Sequence, residues 1–211
     1  MAQERPPLAG DPTPFALSTF SISAVLASMV LAEVFPFQEG VVFIGGPLWT
    51  TAGVVQITAS VFFLVAGATF AAAAFGIFGF FWVNLGLLIL LLDNGVVLIG
   101  ASQSVPTLGD ALAAFLVAWN IWFFILWIAT LRLPLVWFTT LGSLVVSVSF
   151  IAAGWWSATD DLFNDLVLIG GIILFSVAIH GFYLLFSNFW VSLGGKPLPM
   201  GPVLASWLWS E

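Results

Sequence analysis

The segment Phe70–Leu92 reads FAAAAFGIFGFFWVNLGLLILLL and contains no charged side chain. An α-helix rises about 1.5 Å per residue, so about 20 residues cross the ~30 Å hydrocarbon core of a bilayer. A membrane-spanning β-strand would alternate apolar and polar residues, whereas Leu85–Leu92 is apolar on every side. The segment therefore predicts a transmembrane helix and argues against a transmembrane β-barrel.

The whole chain has the composition of an integral membrane protein. Of its 211 residues, 62% are hydrophobic and 6% are charged, against about 45–50% and about 25% in soluble domains. So few charges would not cover the surface of a water-soluble globule. The net charge of −7 also argues against nucleic-acid binding, which needs clustered lysines and arginines.

Apolar segments separated by prolines, glycines and polar residues predict an all-α membrane protein with six transmembrane helices. The predicted transmembrane domain covers residues 15–193, between tails at 1–14 and 194–211. A further apolar stretch, Val96–Ala101, is too short to span. The six predicted spans are Phe15–Phe35, Val41–Val65, Phe70–Leu92, Ala111–Leu131, Leu135–Trp156 and Leu162–Trp190.

Three cations set the expected orientation. Arg5 precedes the first span, Arg132 lies between the fourth and fifth, and Lys196 follows the sixth. With six spans, a cytoplasmic N-terminus puts all three cations on the cytoplasmic side, in keeping with the positive-inside bias. Both tails are therefore predicted to be cytoplasmic. The outer face then carries the acids Glu39, Asp110, Asp160, Asp161 and Asp165.

Residue combinations that support catalysis are nearly absent, so neither an enzyme nor a bound cofactor is expected. The chain has no cysteine, which excludes disulfides and thiolate metal sites. Its one histidine, His180, has no Asp or Glu three or four residues away, so no metal site is expected. His180 is either a buried imidazole bonded to a neighbouring helix or a proton-sensitive group lining a pathway.

Neutral polar residues inside the spans have two open interpretations. They can join helices, at about 0.6 kcal/mol each, or they can converge on a lumen and bind a small polar solute. No Lys or Arg is predicted in mid-membrane, which excludes a pore built around fixed cations. The possible substrate-binding residues are Ser18, Thr19, Thr51, Gln56, Asn84 and Asn120.

Small residues are a second theme within the spans. Gly76 and Gly79 follow a run of four alanines in the third span, and Gly170-Gly171 lies in the sixth. In lipid, small side chains let helix backbones approach closely. These residues therefore predict close helix packing.

Short motifs resemble those of a known family. Asp11–Leu17 reads DPTPFAL and resembles the Asn-Pro-Ala-Pro-Leu-Gly-Leu signature of the acetate uptake transporter family, also called the succinate-acetate permeases. Gly67–Trp82 is similar to the family's Gly-Asn-Thr-Phe…Ala-Phe-x-x-Tyr-Gly-x-Phe-Trp block. Gln56 occupies the glutamine of its Gly-Gly-x-x-Gln segment, and Leu198–Gly201 resembles its Leu-Pro-x-Gly tail. These matches occur in the family's order.

The resemblance implies six helices around a narrow pore in each protomer of a homo-hexamer in the plasma membrane. It also implies passage of acetate or a similar small carboxylate, in some members together with protons. The family's hydrophobic constriction of Phe, Tyr and Leu maps onto Phe20, Phe78 and Leu144. Phe78 lacks the tyrosine hydroxyl, so a drier constriction is expected here.

A dry constriction favours passage of the neutral acid. Carboxylic acids titrate near pH ~4, so acetate is almost wholly anionic at neutral pH, and desolvating that anion without a nearby cation is costly. Transit as the neutral acid, or with a proton, avoids most of this cost. Two alternatives stay open: a channel for neutral amides or urea, and a non-transporting subunit of a larger membrane complex.

Overall fold

The structure, a computed structural model, describes residues 10–34, 46–93 and 105–206. The predictions on Arg5, Glu39 and Val96–Ala101 lie outside these ranges. Within them, six helices are long and apolar enough to cross a membrane, which confirms the predicted fold class. They are α1 (Thr13–Leu31), α2 (Gly46–Val65), α3 (Thr69–Asp93), α4 (Val105–Ala129), α5 (Leu135–Trp156) and α6 (Asp165–Ser192).

Helix α1 differs from its predicted span at both ends. It begins at Thr13 because Pro14 falls in the first turn, where a missing N–H costs no hydrogen bond. It ends at Leu31, short of the predicted Phe35, and Glu33 then adopts a φ of 53°. That left-handed conformation is incompatible with a continuing α-helix.

The starts of α4 and α6 also differ from prediction. Helix α4 begins at Val105 rather than Ala111, so it also includes the residues just before the apolar run. Helix α6 begins at Asp165 rather than Leu162. The reason is the Asn164 side chain, which accepts two backbone N–H groups of the first turn at 3.1 and 3.3 Å and so satisfies donors that have no partner within the helix.

The six helices form a ring in chain order, each antiparallel to its neighbours. Helix α1 packs against α2 and α6, α5 packs between α4 and α6, and α2 packs along α3. Aromatic side chains, rather than close backbone contact, join α3 to α4. The Phe81 ring centroid lies 5.9 Å from that of Phe115 and 5.5 Å from that of Phe123. Aromatic contacts thus close the ring.

Antiparallel packing places the two described cations at one end of the bundle and most of the described acids at the other. Arg132 and Lys196 lie at the end where α1 begins, which we call the basic end, and Asp11 lies there too. The opposite end is called the acidic end. Among the described side chains it carries Glu33, Asp110, Asp160, Asp161 and Asp165.

Glycines allow backbone-to-backbone contact between helices. A Cβ added to Gly79 on α3 would lie 2.7 Å from the carbonyl oxygen of Gly53 on α2. On α6, a Cβ at Gly170 would lie 2.9 Å from the Ser147 carbonyl oxygen, and one at Gly171 would lie 2.6 Å from the α1 backbone. These distances leave no room for any side chain. The predicted close packing at Gly79 and Gly170-Gly171 is confirmed.

The residues after α6 fold back across the basic end. The Tyr183 hydroxyl donates to the Pro199 carbonyl oxygen at 2.6 Å, and the Val136 N–H donates to the Met200 carbonyl oxygen at 3.1 Å. Gly201, the residue after Met200, adopts a φ of 74°, which glycine tolerates without strain. The Leu-Pro-x-Gly tail therefore ties α6 to the start of α5.

Candidate functional site

Two cavities lie in succession inside the ring. The larger, about 210 Å³, lies toward the basic end and is lined by residues that include Thr13, Leu17 and Trp137. We call it the vestibule. The smaller, about 60 Å³, lies toward the acidic end and is lined by residues that include Leu31 and Ile151. We call it the inner chamber.

Two phenylalanine rings separate the vestibule from the inner chamber. Phe20 on α1 and Phe78 on α3 line both cavities, and their ring centroids lie 5.1 Å apart in an edge-to-face arrangement. Their exposed fractions are 5% and 4%. Because both rings are packed in the interior, a solute crossing from one cavity to the other would have to displace them or pass between them.

Leu144 on α5 lies on the inner-chamber side of this barrier. It lines the inner chamber, whereas Leu141, one turn earlier on the same helix, lines the vestibule. All three residues of the expected constriction, Phe20, Phe78 and Leu144, therefore lie on the wall of one cavity. Only the two phenylalanines contact both.

Phe123 on α4 belongs to the same barrier and was missed by sequence reasoning. Its ring stacks on Phe78 with centroids 5.2 Å apart, it lines the inner chamber, and it is 1% exposed. The surrounding sequence, AWNIWFFILW from Ala118 to Trp127, is apolar apart from Asn120. No periodic pattern therefore distinguishes Phe123 from its neighbours.

Polar atoms are scarce on both cavity walls. Among the described residues, neither cavity is lined by a charged side chain, and the vestibule has two hydroxyl groups, those of Thr13 and Thr140. Thr140 donates to the Val136 carbonyl oxygen at 2.6 Å, and Thr13 donates to an Asp11 carboxylate oxygen at 2.6 Å. That second bond fixes the Asp-Pro-Thr-Pro motif at the mouth of the vestibule.

The six polar residues predicted inside the spans do not converge, and none lines either cavity. Ser18 and Thr19 donate to carbonyl oxygens of their own helix, at 2.8 and 3.1 Å. Thr51 and Asn84 are exposed and do the same, at 2.9 and 2.8 Å. Such local bonds satisfy the side chains within their own helices.

The remaining two of the six lie in different surroundings. Asn120 on α4 donates to the Ser149 hydroxyl of α5 at 2.9 Å, beside a groove of about 920 Å³ between the two helices. Gln56 is fully buried on α2, and both of its amide atoms lack a partner among the described residues. Asn120 therefore joins helices, and Gln56 is a buried polar group without a hydrogen-bond partner in the described part of the chain.

His180 lies in the middle of α6, half-buried. Its Nδ1 is buried without a hydrogen-bond partner in the described part of the chain. It lines neither the vestibule nor the inner chamber. In the described ranges no group of three or more histidine, cysteine or acidic side chains lies close enough to hold a metal ion.

Comparison with known proteins gives one family and one fold. Residues 2–194 match the model of the GPR1/FUN34/yaaH family. A solved structure titled the bacterial acetate channel SatP has a TM-score of 0.75 at 21% identity, and the match covers 92% of this chain and 99% of that one. At this identity the likeness shows that the two proteins share a fold.

Relatives of this chain include proteins from an archaeon and a yeast. An uncharacterized protein of Methanothermobacter thermautotrophicus is 30% identical over 58% of this chain. Ammonia transport outward protein 3 of Saccharomyces cerevisiae is 24% identical over 91% of this chain and 69% of its own length. The chain spans only 59% and 52% of the lengths of two of the curated relatives it matches. Since the family model covers nearly the whole transmembrane region, the chain is a multi-pass membrane protein that belongs to the GPR1/FUN34/yaaH family, as its motifs indicate.

Proposed function

We propose that the protein passes acetate or a similar small carboxylic acid across the membrane, through the vestibule and the inner chamber. The observation that carries the proposal is the succession of two cavities with the Phe20–Phe78 contact between them. The fold shared with a protein titled an acetate channel supports the choice of solute. The resemblance in motifs supports a homo-hexamer in the plasma membrane.

The lining chemistry favours the neutral acid over the anion. No described residue on either cavity wall is charged, so none of them offsets the cost of desolvating a carboxylate. A neutral acid loses far less hydration, and each molecule that crosses carries one proton with it. Passage of acid and passage of protons are therefore the same event in this proposal.

The test measures acidification inside proteoliposomes that hold a pH-sensitive dye, after rapid mixing with acetate. Protein-free vesicles of the same lipid give the background, because acetic acid also crosses lipid. We expect a protein-dependent rate that falls about tenfold per pH unit between about pH 6 and pH 7, following the neutral fraction of the acid. A protein-dependent rate of labelled acetate entry that does not change with pH would instead show passage of the anion.

A second candidate function is passage of a neutral solute such as ammonia, urea or acetamide. The apolar wall of the inner chamber favours it, as does the relative named for outward ammonia transport. The same vesicles are tested with labelled acetamide and urea. Uptake of amides without acetate would replace the carboxylic acid proposal, and absence of uptake of every solute would favour the non-transporting subunit.

The orientation is proposed with the basic end in the cytoplasm. Because the chain has no cysteine, single-cysteine variants can be labelled without background. In intact cells we expect Asp160→Cys at the acidic end to react with a membrane-impermeant maleimide. We expect Lys196→Cys at the basic end to react only after permeabilisation, because the positive-inside bias keeps that end inside. The opposite labelling pattern would invert the proposed topology.

A further inference from the structure

The wall of the vestibule includes one residue that is not part of a helix. Among the described residues on that wall, Leu133 alone lies outside the helices, in the connection between α4 and α5. Its backbone is extended, with a φ of −108° and a ψ of 165°. A helical residue is held by the hydrogen bonds of its own helix, so the position of Leu133 depends instead on what bonds to its flanking residues.

Residues 194–206, which we call the return segment, bond to the chain on both sides of this leucine. The Ala205 N–H donates to the Leu131 carbonyl oxygen at 3.0 Å. Val203 forms an isolated antiparallel bridge with Pro134. The two contacts lie two residues before the leucine and one residue after it, so the return segment holds its backbone from both sides.

The return segment also contacts the start of α5, which contributes Trp137 to the vestibule wall. The Val136 N–H donates to the Met200 carbonyl oxygen at 3.1 Å. A Cβ added to Gly201 would lie 2.7 Å from the Leu135 Cβ. The segment is therefore packed closely against the first turn of α5, next to a second residue of the vestibule wall.

Few buried groups hold the return segment in place. Of residues 194–206, Ala205 alone is buried, at 4% exposed. A side chain outside the segment supplies one further anchor, since the hydroxyl of Tyr183, the single tyrosine of the chain, donates to the Pro199 carbonyl oxygen at 2.6 Å. A segment with few buried contacts opens locally at a low free-energy cost, so the loss of one bond changes how often it is docked.

We propose that the return segment, anchored by Tyr183, is a positioning element that holds Leu133 in the vestibule wall and so limits what enters the vestibule from the basic end. This inference rests on the proposed function, in which a small acid enters the vestibule before it meets the Phe20–Phe78 barrier. When the segment is released, Leu133 leaves the wall, and water and larger molecules enter. The apolar wall then favours the neutral acid less, while the phenylalanine barrier stays as it was.

The first test measures access to the vestibule wall in the absence of acetate. Because the chain has no cysteine, Ala71→Cys places a single thiol on that wall. The purified protein is treated with N-ethylmaleimide or with the bulkier fluorescein maleimide. The net loss of one hydrogen bond between neutral groups shifts an equilibrium about three- to tenfold. We therefore expect Tyr183→Phe to raise the rate of fluorescein maleimide labelling at Ala71→Cys by about that factor.

Two controls accompany this measurement. Ala66→Cys places a thiol at the same end of the bundle, on an exposed residue that lines neither cavity, and its labelling should stay within about twofold. Ser192→Ala removes a different hydroxyl, one that donates to the Phe189 carbonyl oxygen of its own helix at 2.7 Å. It should leave the labelling of Ala71→Cys within about twofold of the unaltered rate.

Gly201→Ala displaces the return segment by an independent route. The φ of 74° at this residue strains any residue with a side chain, and the added Cβ meets Leu135 at 2.7 Å. Strain of this kind shifts an equilibrium more than the loss of one hydrogen bond does. We expect Gly201→Ala to raise the half-saturating acetate concentration for uptake at least about threefold, with a maximal rate within about twofold. General loss of structure would instead lower the maximal rate and leave the half-saturating concentration unchanged.

A disulfide distinguishes a wall element from a lid that has to open. Opposed residues of an antiparallel pair have Cα atoms about 4.5–5.5 Å apart, within the range that a disulfide spans, so Pro134→Cys and Val203→Cys can be joined. We expect oxidation of this pair to leave acetate uptake within about twofold, because a wall element acts in its docked position. Uptake that stops on oxidation and returns on reduction would overturn the positioning role.

The outcomes separate this inference from the proposed function. Acetate uptake together with unchanged fluorescein maleimide labelling in Tyr183→Phe and Gly201→Ala would overturn the positioning role and leave the transport proposal standing. An equal rise at Ala71→Cys and Ala66→Cys would also overturn it, because the whole end of the bundle would then have loosened. A rise at Ala71→Cys alone, without uptake of acetate, would support the positioning role and overturn the transport proposal. If one variant does not fold, labelling in the other decides.

Discussion

Replacing Phe78 with alanine is expected to join the vestibule to the inner chamber and to admit acids larger than acetate. Phe78 lines both cavities and contacts Phe20 and Phe123, with ring centroids 5.1 and 5.2 Å away. Removing its ring takes away the centre of this barrier. A barrier lower by about 1.4 kcal/mol corresponds to a tenfold higher rate, and we expect the butyrate-to-acetate flux ratio to rise by at least about that factor.

The change in the butyrate-to-acetate flux ratio should depend on which cavity the replaced residue lines. Phe20→Ala should act like Phe78→Ala, because Phe20 also lines both cavities. Leu144→Ala should have a smaller effect on the flux ratio, because Leu144 lines only the inner chamber. The measurement is initial uptake of labelled acetate and butyrate by proteoliposomes, corrected for protein-free vesicles.

Phe63→Ala is the matched control for these variants. Phe63 is 4% exposed and stacks on Phe75 with centroids 5.5 Å apart, but it lines neither cavity. Its loss should therefore lower stability without changing the flux ratio. If Phe78→Ala and Phe20→Ala leave the ratio unchanged, or if Phe63→Ala changes it equally, then the two rings are not the constriction.

Replacing Gly79 with alanine is expected to destabilise the helix bundle strongly. The added Cβ would lie 2.7 Å from the Gly53 carbonyl oxygen and 2.8 Å from the Ile57 backbone nitrogen. Backbone atoms cannot rotate away as a side chain can, so α2 and α3 must separate. Overpacking costs typically about 1–3 kcal/mol, and a backbone clash lies at the upper end of that range. At about 2–4 °C per kcal/mol for a chain of this size, the apparent melting temperature should fall by about 10 °C.

Gly76→Ala provides the control on the same face of the same helix. There an added Cβ would meet only the Ser60 side chain, at 3.2 and 3.3 Å. Alanine is also the better helix former by about 1 kcal/mol, which offsets the tighter contact. We expect an apparent melting temperature within about 3 °C of the unaltered protein. Thermal aggregation in detergent, followed by size-exclusion chromatography, measures both variants, and equal losses would contradict the backbone-contact argument.

The constriction shows how far sequence reasoning reaches in this chain. Phe20, Phe78 and Leu144 were identified through motif resemblance, and the structure places all three on one cavity wall. Phe123, Trp82 and Trp155 line the same cavity, and no motif in the sequence indicates them as wall residues. In helices that are apolar on every face, hydrophobic periodicity does not distinguish interior from lipid. The interior face is then set by which neighbours each helix packs against.

The presence of a polar residue inside a span does not identify a cavity wall, for a related reason. Inside a helix, Ser18, Thr51 and Asn84 bond to a carbonyl oxygen of their own preceding turn, so their presence in a span does not indicate a lumen.

The sequence by itself determined the solvent, the secondary structure and the family. A chain with 6% charged residues has to lie in lipid, where the backbone must satisfy its own hydrogen bonds in helices or in a closed β-barrel. The continuously apolar segments select helices. Its motifs, in order, indicated the family. Only the tertiary structure decided which side chains meet, because an apolar helix can turn any face inward at similar cost. Here the packing of glycines and aromatic rings sets each helix face, and so places Phe20 and Phe78 between the vestibule and the inner chamber.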